Sequence, residues 1–415
     1  MEENPAIRRL SDWSETRLRG LADEYDTPLY VTDLDRVREN YARILDAFPD
    51  AEVLYAVKAN AGRDVLSAVA DAGAGAECAS AGEVERAVAA GFDPEDVHYT
   101  AVNPPAEDLD YVVDLAEEEP ALTITAGAAD TVDRLAERGF DGRFCLRVHP
   151  GVGAGHHEDV ATGADAKFGV PGDRAAAVVE QAQDYGMDVV GVHAHVGSGV
   201  SNDDLESHRR VVEYLAEVVS TLPVDLEFVD VGGGFGVPYH ESEEPLDLDA
   251  VADNVRSALA GVDAQLVVEP GRYFVADAGV LLTEVNTVKA DPAGETLIAG
   301  VDAGMTTLIR PALYDAYHPI ANVAADAADR SVEPTSVVGP VCESADVLGE
   351  NRDLPLVERG DLLAVGNAGA YGIEMANQYN SRPRPAAVAL EAGDASLARR
   401  RETVADITDT EVWQA

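Results

Sequence analysis

Eight short apolar runs between residues 53 and 272 constrain the fold more than any other feature of this chain. Between the runs, segments such as DVLSAVADAGA place apolar residues at the 3.6-residue spacing of a helix. Eight strand-and-helix units in about 220 residues predict a (β/α)8 barrel of the TIM type, and a doubly wound open sheet is the main alternative. The runs are VLYAVKA (53–59), GAECAS (75–80), VHYTA (97–101), ALTITA (121–126), FCLRVHP (144–150), VVGVHAHVGS (189–198), FVDVGGG (228–234) and LVVEPGR (266–272).

After about residue 276 the pattern changes to strands without long helices between them. Examples are GVLLTEVNTVKA, TLIAGVDAG, SVVGPV, LLAVGNAGAY and PAAVAL. This pattern predicts a C-terminal β-sandwich or β-barrel domain. The early strand PLYVTD (28–33) precedes the barrel and is free to join that domain. We therefore expect residues 34–275 to form the barrel, and residues 1–33 and 276–415 to form the β domain.

Acidic residues outnumber basic residues by 77 to 30, which gives a formal net charge of −47. Such a charge disfavours binding to nucleic acid or to an anionic membrane surface. The acids are spread along the whole chain, as in a solvated acidic shell. Because the Debye length falls to about 3 Å at 1 M salt, we expect a halophilic protein that works in a salt-rich cytoplasm.

The N-terminal segment MEENPAIRRL lacks the apolar core of a secretion signal, and no run of 18 apolar residues occurs. The three cysteines, Cys78, Cys145 and Cys342, are too few and too scattered for a disulfide framework or a zinc site. These features predict a cytoplasmic protein in a reducing compartment.

Glycine and arginine follow the last two predicted barrel strands. Strand 7 runs into Gly232, Gly233 and Gly234, and strand 8 runs into Arg272. In TIM barrels, the loops after strands 7 and 8 often hold a phosphate group. A glycine triplet alone also fits a structural turn, but the nearby arginine favours an anion site.

Lys58, one of only three lysines, lies at the predicted C-terminal end of strand 1. Apolar neighbours would partly desolvate this lysine and favour its neutral, nucleophilic form, although an ion-paired or snorkelling lysine is the alternative. A lysine, a phosphate site and the carboxylate of Glu269 on one barrel face together predict a pyridoxal phosphate site. Glu269 would keep the pyridine nitrogen protonated.

Strand 6 carries His193 and His195, which strand alternation turns to the same face, with Ser198 just beyond. Two histidines with this spacing could ligate a metal, but the sequence shows no third ligand near them. We therefore expect no metal, and expect one histidine to stack on the cofactor ring while Ser198 donates to its phosphate.

The chain resembles the diaminopimelate decarboxylases, which are pyridoxal phosphate enzymes of fold type III with an alanine racemase-like barrel. The resemblance runs from about residue 20 to 405 and rests on ordered motifs. It implies meso-2,6-diaminopimelate as substrate, L-lysine and CO2 as products, and a homodimer whose active sites are shared between subunits. The motifs are YAVKAN, GAGAECASAGE, HAHVGS, DVGGGFG, EPGRYF, LIRPALYDAYHPI, GPVCESAD and NAGAYG.

The resemblance also implies a role for each matching residue. Lys58 would bind the cofactor covalently and His195 would stack on its ring, while Glu269 would face the pyridine nitrogen. Phosphate contacts would come from Ser198, Gly232, Gly233 and Gly234, and Gly271 and Arg272 would also contact the cofactor. Substrate carboxylate would be held by Arg272, Arg310 and Tyr314, and the distal ammonium by Glu343. Cys342 would be the proton donor from the partner subunit, and Tyr371 would touch phosphate or substrate.

Two positions depart from the family pattern. Glu77 stands where the family usually has aspartate, and Gly199 stands where it usually has glutamine. Three alternatives remain at this point: an ornithine-type or arginine-type decarboxylase of the same fold, an amino-acid racemase on a similar barrel, and a non-catalytic homologue. Arg310 and Glu343 favour the diaminopimelate decarboxylase, because a second carboxylate needs a cation and a distal ammonium needs an anion.

Overall fold

The computed structural model describes residues 5–151, 154–155, 167–195, 197–294 and 296–412. The chain divides into two compact units. The barrel unit comprises Arg38–Val237 and Glu244–Phe274, and the β unit comprises Met1–Val37, Pro238–Glu243 and Val275–Ala415.

Strands and helices alternate through the first two thirds of the chain, and strands predominate afterwards. The strands are β1 (Leu29–Asp33), β2 (Ala51–Ala56), β3 (Gly75–Cys78), β4 (Val97–Thr100), β5 (Thr123–Ala126), β6 (Arg143–His149), β7 (Ala154–Gly155), β8 (Val170–Pro171), β9 (Asp188–His193), β10 (Gly197–Ser198), β11 (Phe228–Asp230), β12 (Gln265–Val268), β13 (Gly279–Ala290), β14 (Leu297–Val301), β15 (Ile320–Asn322), β16 (Val332–Val338), β17 (Val347–Pro355), β18 (Leu362–Val365), β19 (Ala386–Glu391) and β20 (Asp394–Arg399). The helices are α1 (Glu15–Tyr25), α2 (Leu34–Ala47), α3 (Arg63–Asp71), α4 (Ala81–Ala90), α5 (Ala106–Glu118), α6 (Ala129–Ala136), α7 (Gly172–Asp184), α8 (Leu205–Ser220), α9 (Leu248–Ala258), α10 (Arg272–Val275), α11 (Arg310–Tyr314) and α12 (Val404–Thr408).

Eight parallel strands close into a barrel, which confirms the predicted fold. The strand order is β5-β4-β3-β2-β12-β11-β9-β6, and β6 pairs back onto β5. Each of the eight predicted runs overlaps one of these strands, although several strands end earlier than predicted. The first strand, for example, ends at Ala56 and continues as a 3-10 turn over Val57–Ala59.

The barrel strands are buried on both faces because helices cover the outside and side chains fill the inside. Strands β3, β4 and β5 are buried at every position. Side chains from five different strands pack together in one interior cluster of Leu54, Cys145, Val190, Phe228 and Val267. A rigid frame of this kind holds the C-terminal ends of its strands in fixed positions.

The β unit is a nine-stranded mixed sheet whose main path runs β17-β16-β14-β13-β1-β19-β20. The early strand β1 joins it as predicted, antiparallel to β13 and parallel to β19. Strand β13 is long enough to pair with β14 and β18 as well. None of the helices that the structure describes is long and apolar enough to span a bilayer.

Candidate active site

Lys58 lies just beyond the end of β2, in the 3-10 turn, and its ammonium is paired with a buried carboxylate. The Lys58 Nζ lies 2.5 Å from Oε2 of Glu77, which is on the neighbouring strand β3. The Glu77 side chain is 2% exposed, whereas that of Lys58 is 39% exposed. Burial raises the pKa of Glu77, and the positive charge of Lys58 opposes that rise. The ion pair therefore fixes the lysine at the mouth of the barrel and leaves part of it accessible.

A second contact between a basic and an acidic side chain lies deeper, between the ends of β9 and β12. His193 Nε2 is 3.2 Å from Glu269 Oε2, and each side chain is 2% exposed. Burial alone would raise the pKa of Glu269, but the charges of His193 and Lys58 outweigh burial and hold that pKa below its usual value. Glu269 Oε1 is buried and has no hydrogen-bond partner among the described residues. The carboxylate therefore has one oxygen available for a ligand.

Asp230 ends strand β11 and is fully enclosed beside Glu269. Its Oδ1 accepts a hydrogen bond from Gly232 N at 2.7 Å. Burial raises the pKa of Asp230 well above its usual value, and the negative charge of Glu269 adds to the rise. Asp230 therefore retains its proton more readily than Glu269 does, so this part of the site carries one negative charge from two carboxyl groups.

The glycine triplet is required by close backbone contacts. Gly232 and Gly234 have φ angles of +70° and +88°, which residues other than glycine rarely adopt. A Cβ on Gly233 would lie 1.9 Å from the carbonyl oxygen of Glu269. The three glycines are therefore needed for the turn itself, which was the structural alternative that the sequence left open. Because they have no side chains, they also leave bare backbone near the site.

Arg272 begins helix α10 directly after β12 and the turn through Gly271. Its Nη2 donates a hydrogen bond to Ser198 Oγ at 3.2 Å. A Cβ on Gly271 would crowd those of Ala56 and Ala59, at 3.0 and 3.1 Å. The loop after β12 therefore packs against the segment that carries Lys58. The Arg272 guanidinium and the Ser198 hydroxyl lie together, as an anion-binding site requires.

His195 follows β9 and accepts a 3.4 Å hydrogen bond from Gly233 N through Nδ1. Burial lowers the pKa of His195 to about 3, and the positive charges of Lys58 and Arg147 add to the shift. This imidazole is neutral at ordinary pH. His193, His195 and Glu269 place ligand atoms within 4.8 Å of one another. The sequence-based argument that the two histidines lack a third ligand is therefore wrong, because Glu269, which directly follows β12, supplies the third ligand atom.

Arg310 begins helix α11 in the β unit and is 7% exposed. Its Nη1 donates to the Tyr239 hydroxyl at 3.0 Å and to His318 Nε2 at 2.9 Å. Among the described residues, no carboxylate pairs with Arg310, and no acceptor engages its Nε or Nη2. A buried guanidinium with neutral partners on one side retains its full charge and a free edge for an anion. Tyr314 lies four residues on, on the same helix.

Cys342 and Glu343 lie on an exposed loop of the β unit, where Glu343 Oε1 accepts a 2.6 Å hydrogen bond from the Tyr379 hydroxyl. The loop is held by buried Asp346, whose carboxylate accepts from Val341 N at 2.6 Å and from Met305 N at 2.5 Å. The two candidate residues are therefore presented to solvent on a fixed turn.

Tyr371 adopts a φ of +54°, in the left-handed region that bulky side chains rarely occupy. Gly372 follows it, and a Cβ there would lie 2.4 Å from the carbonyl oxygen of Ala368. A strained tyrosine of this kind is typical of functional sites, where the surrounding structure holds an unfavourable backbone conformation.

The predicted residues thus fall into two groups, one in each unit. The barrel unit holds Lys58, His195, Ser198, Gly232, Gly233, Gly234, Glu269, Gly271 and Arg272, and the β unit holds Arg310, Tyr314, Cys342, Glu343 and Tyr371. Sequence reasoning missed Asp230, Tyr239, His318 and Asp346. Asp230, His318 and Asp346 lie inside motifs that were already recognised, whereas Tyr239 carries no sequence signal of its own.

Comparison with known proteins agrees with this arrangement. The model of the pyridoxal binding domain of pyridoxal-dependent decarboxylases matches residues 34–276. A diaminopimelate decarboxylase of Methanothermobacter thermautotrophicus is 42% identical, over 93% of this chain and 92% of the relative. A diaminopimelate decarboxylase of Aquifex aeolicus is 37% identical, over 93% of this chain and 91% of the relative.

A solved structure with the same architecture is the diaminopimelate decarboxylase of Helicobacter pylori complexed with L-lysine. It superimposes with a TM-score of 0.88 at 32% identity, covering 95% of this chain and 99% of the other. Similarity at this level over nearly the full length of both chains goes beyond a shared fold. The chain therefore belongs to the diaminopimelate decarboxylase family of pyridoxal-dependent decarboxylases.

Proposed function

We propose that this chain decarboxylates meso-2,6-diaminopimelate to L-lysine and CO2, the last step of lysine biosynthesis, with pyridoxal phosphate as cofactor. The observation that carries the substrate assignment is Arg310, a buried guanidinium with no carboxylate partner among the described residues and a free Nε–Nη2 edge. Such an edge fits a carboxylate through two parallel hydrogen bonds. Diaminopimelate keeps one carboxylate that does not react, and ornithine and arginine have no such group.

The barrel residues fit pyridoxal phosphate. The buried Oε1 of Glu269, without a partner among the described residues, suits the protonated nitrogen of a pyridine ring. Neutral His195 can stack on that ring without adding positive charge to it. Ser198, Arg272 and the backbone of Gly232, Gly233 and Gly234 would hold the phosphate, with Gly271 keeping that loop close to Lys58.

Bound pyridoxal phosphate supplies an electron sink for the charge that remains on the substrate carbon when CO2 departs. Lys58 would hold the cofactor covalently, and Glu77 would keep the lysine in place. Arg310 and Tyr314, with Arg272, hold carboxylate, Glu343 holds the distal ammonium, and Tyr371 contacts phosphate or substrate. Cys342 then delivers a proton from Sγ to the carbon that lost CO2.

Two of the three groups that could ligate a metal, His195 and Glu269, are also assigned to the cofactor, and His193 faces Glu269. We assign them to pyridoxal phosphate because the glycine triplet, Ser198 and Arg272 lie beside them, and a metal ion would leave these anion-binding groups without a purpose. Two neighbouring carboxyl groups that share one negative charge also suit a ring nitrogen better than a divalent cation.

We also infer a homodimer with shared active sites. The family resemblance implies that Cys342 acts in the partner's site, and its exposure in the single chain supports this assignment. Glu343 is exposed beside it. In a two-fold dimer, each subunit would contribute Lys58 to one site and Cys342 to the other.

The acidic shell supports a third proposal, that the protein works in a salt-rich cytoplasm. A net charge of −47 destabilises the compact state through self-repulsion, and salt screens that repulsion. The melting temperature should rise steeply with added salt toward molar concentrations. A protein that is fully stable and active in dilute buffer would contradict this proposal.

The decarboxylase assignment is tested with the holoenzyme purified in molar salt. Release of CO2 is compared for meso-diaminopimelate, L-ornithine, L-arginine and L-lysine, and only the first should be turned over efficiently. Release from ornithine or arginine at a similar rate would favour the alternative decarboxylases, and racemisation without CO2 would favour the racemase.

The Arg310→Met variant tests the substrate contact directly. Loss of a charge-assisted pair worth about 1.5–3 kcal/mol should lower kcat/KM for diaminopimelate by roughly tenfold to a hundredfold. Affinity for pyridoxal phosphate should not change. Equal loss of cofactor affinity would mean that Arg310 serves the cofactor.

A further inference from the structure

Arg310 is held by two neutral side chains that come from different parts of the β unit. Tyr239 lies in the segment Pro238–Glu243, and His318 follows helix α11. Both accept hydrogen bonds from the same atom, Nη1, at 3.0 and 2.9 Å. The opposite edge of the guanidinium, Nε and Nη2, has no acceptor among the described residues.

The protonation of His318 follows from its partners. A guanidinium only donates hydrogen bonds, so His318 Nε2 must accept with a lone pair. Its Nδ1 lies 2.9 Å from the carbonyl oxygen of Gly366, which only accepts, so Nδ1 carries the hydrogen. His318 is fully buried and is therefore a neutral imidazole in one defined tautomer.

Tyr239 is held just as firmly. The carboxylate of Glu243 accepts from Tyr239 N at 2.7 Å and from His240 N at 3.1 Å. Asn367 Nδ2 donates to Pro238 O at 2.9 Å, which ties the start of the segment to the loop after β18. The Tyr239 ring also lies 5.1 Å from the Arg310 guanidinium and contacts the edge of His318.

These partners fix the guanidinium without neutralising it. An aspartate or glutamate at either position would form an ion pair with Arg310 and compete with any carboxylate ligand. A hydroxyl and a neutral imidazole supply geometry and leave the charge unpaired. Ordering a long arginine side chain in advance also removes an entropy cost from ligand binding.

We propose that His318 and Tyr239 are positioning residues for Arg310, which they hold with its Nε–Nη2 edge turned toward the non-reacting carboxylate of the substrate. This inference rests on the proposed role of Arg310 in binding that carboxylate. It makes carboxylate recognition a property of three side chains that act together.

Two ligands separate this role from a merely structural one. L-Lysine keeps the non-reacting carboxylate of diaminopimelate, and 1,5-diaminopentane is the same chain without it. The experiment measures KM for meso-diaminopimelate and inhibition constants for both ligands, with wild-type holoenzyme, Tyr239→Phe and His318→Phe. Each variant removes one acceptor from Arg310 and keeps an aromatic ring.

Loss of one hydrogen bond to a charged donor should raise KM for diaminopimelate and the inhibition constant of L-lysine by the same factor, about tenfold. The inhibition constant of 1,5-diaminopentane and the absorbance of the bound cofactor should not change. His318→Gln, which keeps an acceptor for Arg310, should have a smaller effect than His318→Phe. Tyr317→Phe, which removes a hydroxyl from a neighbouring tyrosine whose ring stacks on His240, is the matched control and should behave as wild type.

Equal weakening of both inhibitors would show a general loss of structure and overturn the positioning role, as would no change in either. If His318→Phe destabilises the fold, Tyr239→Phe decides the outcome alone, since it deletes a single hydroxyl group. Arg310→Met, measured in parallel, separates the two proposals. If that variant weakens L-lysine but the positioning variants do not, only the present inference fails. If it does not distinguish L-lysine from 1,5-diaminopentane, the proposed role of Arg310 fails first.

Discussion

The candidate site residues of the barrel unit and those of the β unit differ in how their charges are paired. In the barrel unit, Lys58 is neutralised by Glu77 at 2.5 Å and His193 faces Glu269 at 3.2 Å. In the β unit, Arg310 is 7% exposed and has only neutral partners among the described residues. The barrel site is thus balanced within the protein, while the β unit leaves one charge for a ligand to balance.

This difference matches two kinds of task. A cofactor that stays bound needs a site whose charges are already arranged around it, since any unpaired charge would persist through every catalytic cycle. A substrate that comes and goes can supply the missing partner on each visit. Changes in the barrel unit should therefore affect every step, and changes in the β unit should affect the substrate selectively.

The largest effect is expected from Lys58→Ala, which removes the only lysine at the end of a barrel strand. Activity should fall by about a thousandfold or more, because no other residue can replace a covalent contact. The visible absorbance band of the lysine-bound cofactor should vanish. The matched control is Lys289→Ala, since Lys289 is exposed on strand β13.

Borohydride reduction of the wild-type holoenzyme followed by peptide mapping gives an independent check on Lys58. The label should appear on the peptide that contains residue 58. A label on Lys167 or Lys289 would overturn the assignment and with it the balanced barrel site.

Mixing two inactive variants tests whether the units act across a dimer. Lys58→Ala and Cys342→Ala should each be nearly inactive. Random subunit exchange makes about half of the dimers mixed, and each mixed dimer has one intact site, so activity should recover to roughly a quarter of wild type. A tagged pull-down confirms that exchange occurs. Mixed dimers that form and stay inactive would show that Cys342 acts within its own subunit or is not the proton donor.

A moderate effect is expected from Asp346→Asn in the β unit. The carboxylate accepts from two backbone N–H groups, and an amide would present a donor to one of them. Turnover should fall by about tenfold, because the turn that carries Cys342 and Glu343 loses one charge-assisted bond. The cofactor band should stay as in wild type. Asp353→Asn, at an exposed position on β17, is the control, and loss of the cofactor band in Asp346→Asn would contradict the separation of the two units.

The smallest effect concerns stability alone. His208 on helix α8 is fully buried, its ring nitrogens have no partner among the described residues, and burial lowers its pKa to about 4. Between pH 6.5, the ordinary value, and pH 4, the unfolded state binds more protons than the folded state, so stability is lost as pH falls.

His208→Leu should remove this pH dependence. Between about pH 7 and pH 5, urea unfolding should show that the free energy of unfolding falls by about 2 kcal/mol more in wild type than in the variant. At pH 7 the two proteins should have the same activity. Parallel curves for the two proteins would show that His208 is protonated equally in both states.

The sequence predicted the barrel well because its strands are buried on both faces and appear as short β-branched or apolar runs at regular intervals. Lys58, Glu269 and the glycine triplet follow from the rule that parallel strands place their C-terminal ends together. The sequence predicted the ends of the strands less well. The apolar run through Ala59 continues from β2 into a 3-10 turn, and an apolar pattern does not distinguish such a turn from a strand.

The partners of the predicted residues were not predictable in the same way. Glu77 departs from the family pattern, but the sequence alone does not predict its pairing with Lys58, because that pairing depends on the register of β2 and β3. Tyr239 is 71 residues from Arg310 and reaches it through a segment without regular structure. The third ligand atom near His193 and His195 comes from Glu269, two strands away in the barrel. Contacts of this kind depend on tertiary geometry, which periodicity does not encode.

If the protein works in concentrated salt, as we propose, the unpaired charge of Arg310 has a further consequence. At molar potassium chloride, chloride ions greatly outnumber substrate molecules, and any exposed cationic pocket attracts them. A chloride ion is a single spherical acceptor without a preferred direction, whereas a carboxylate offers two oxygens that match Nε and Nη2. The fixed direction of that edge therefore favours a carboxylate over chloride, and a flexible lysine in its place would discriminate less between the two anions.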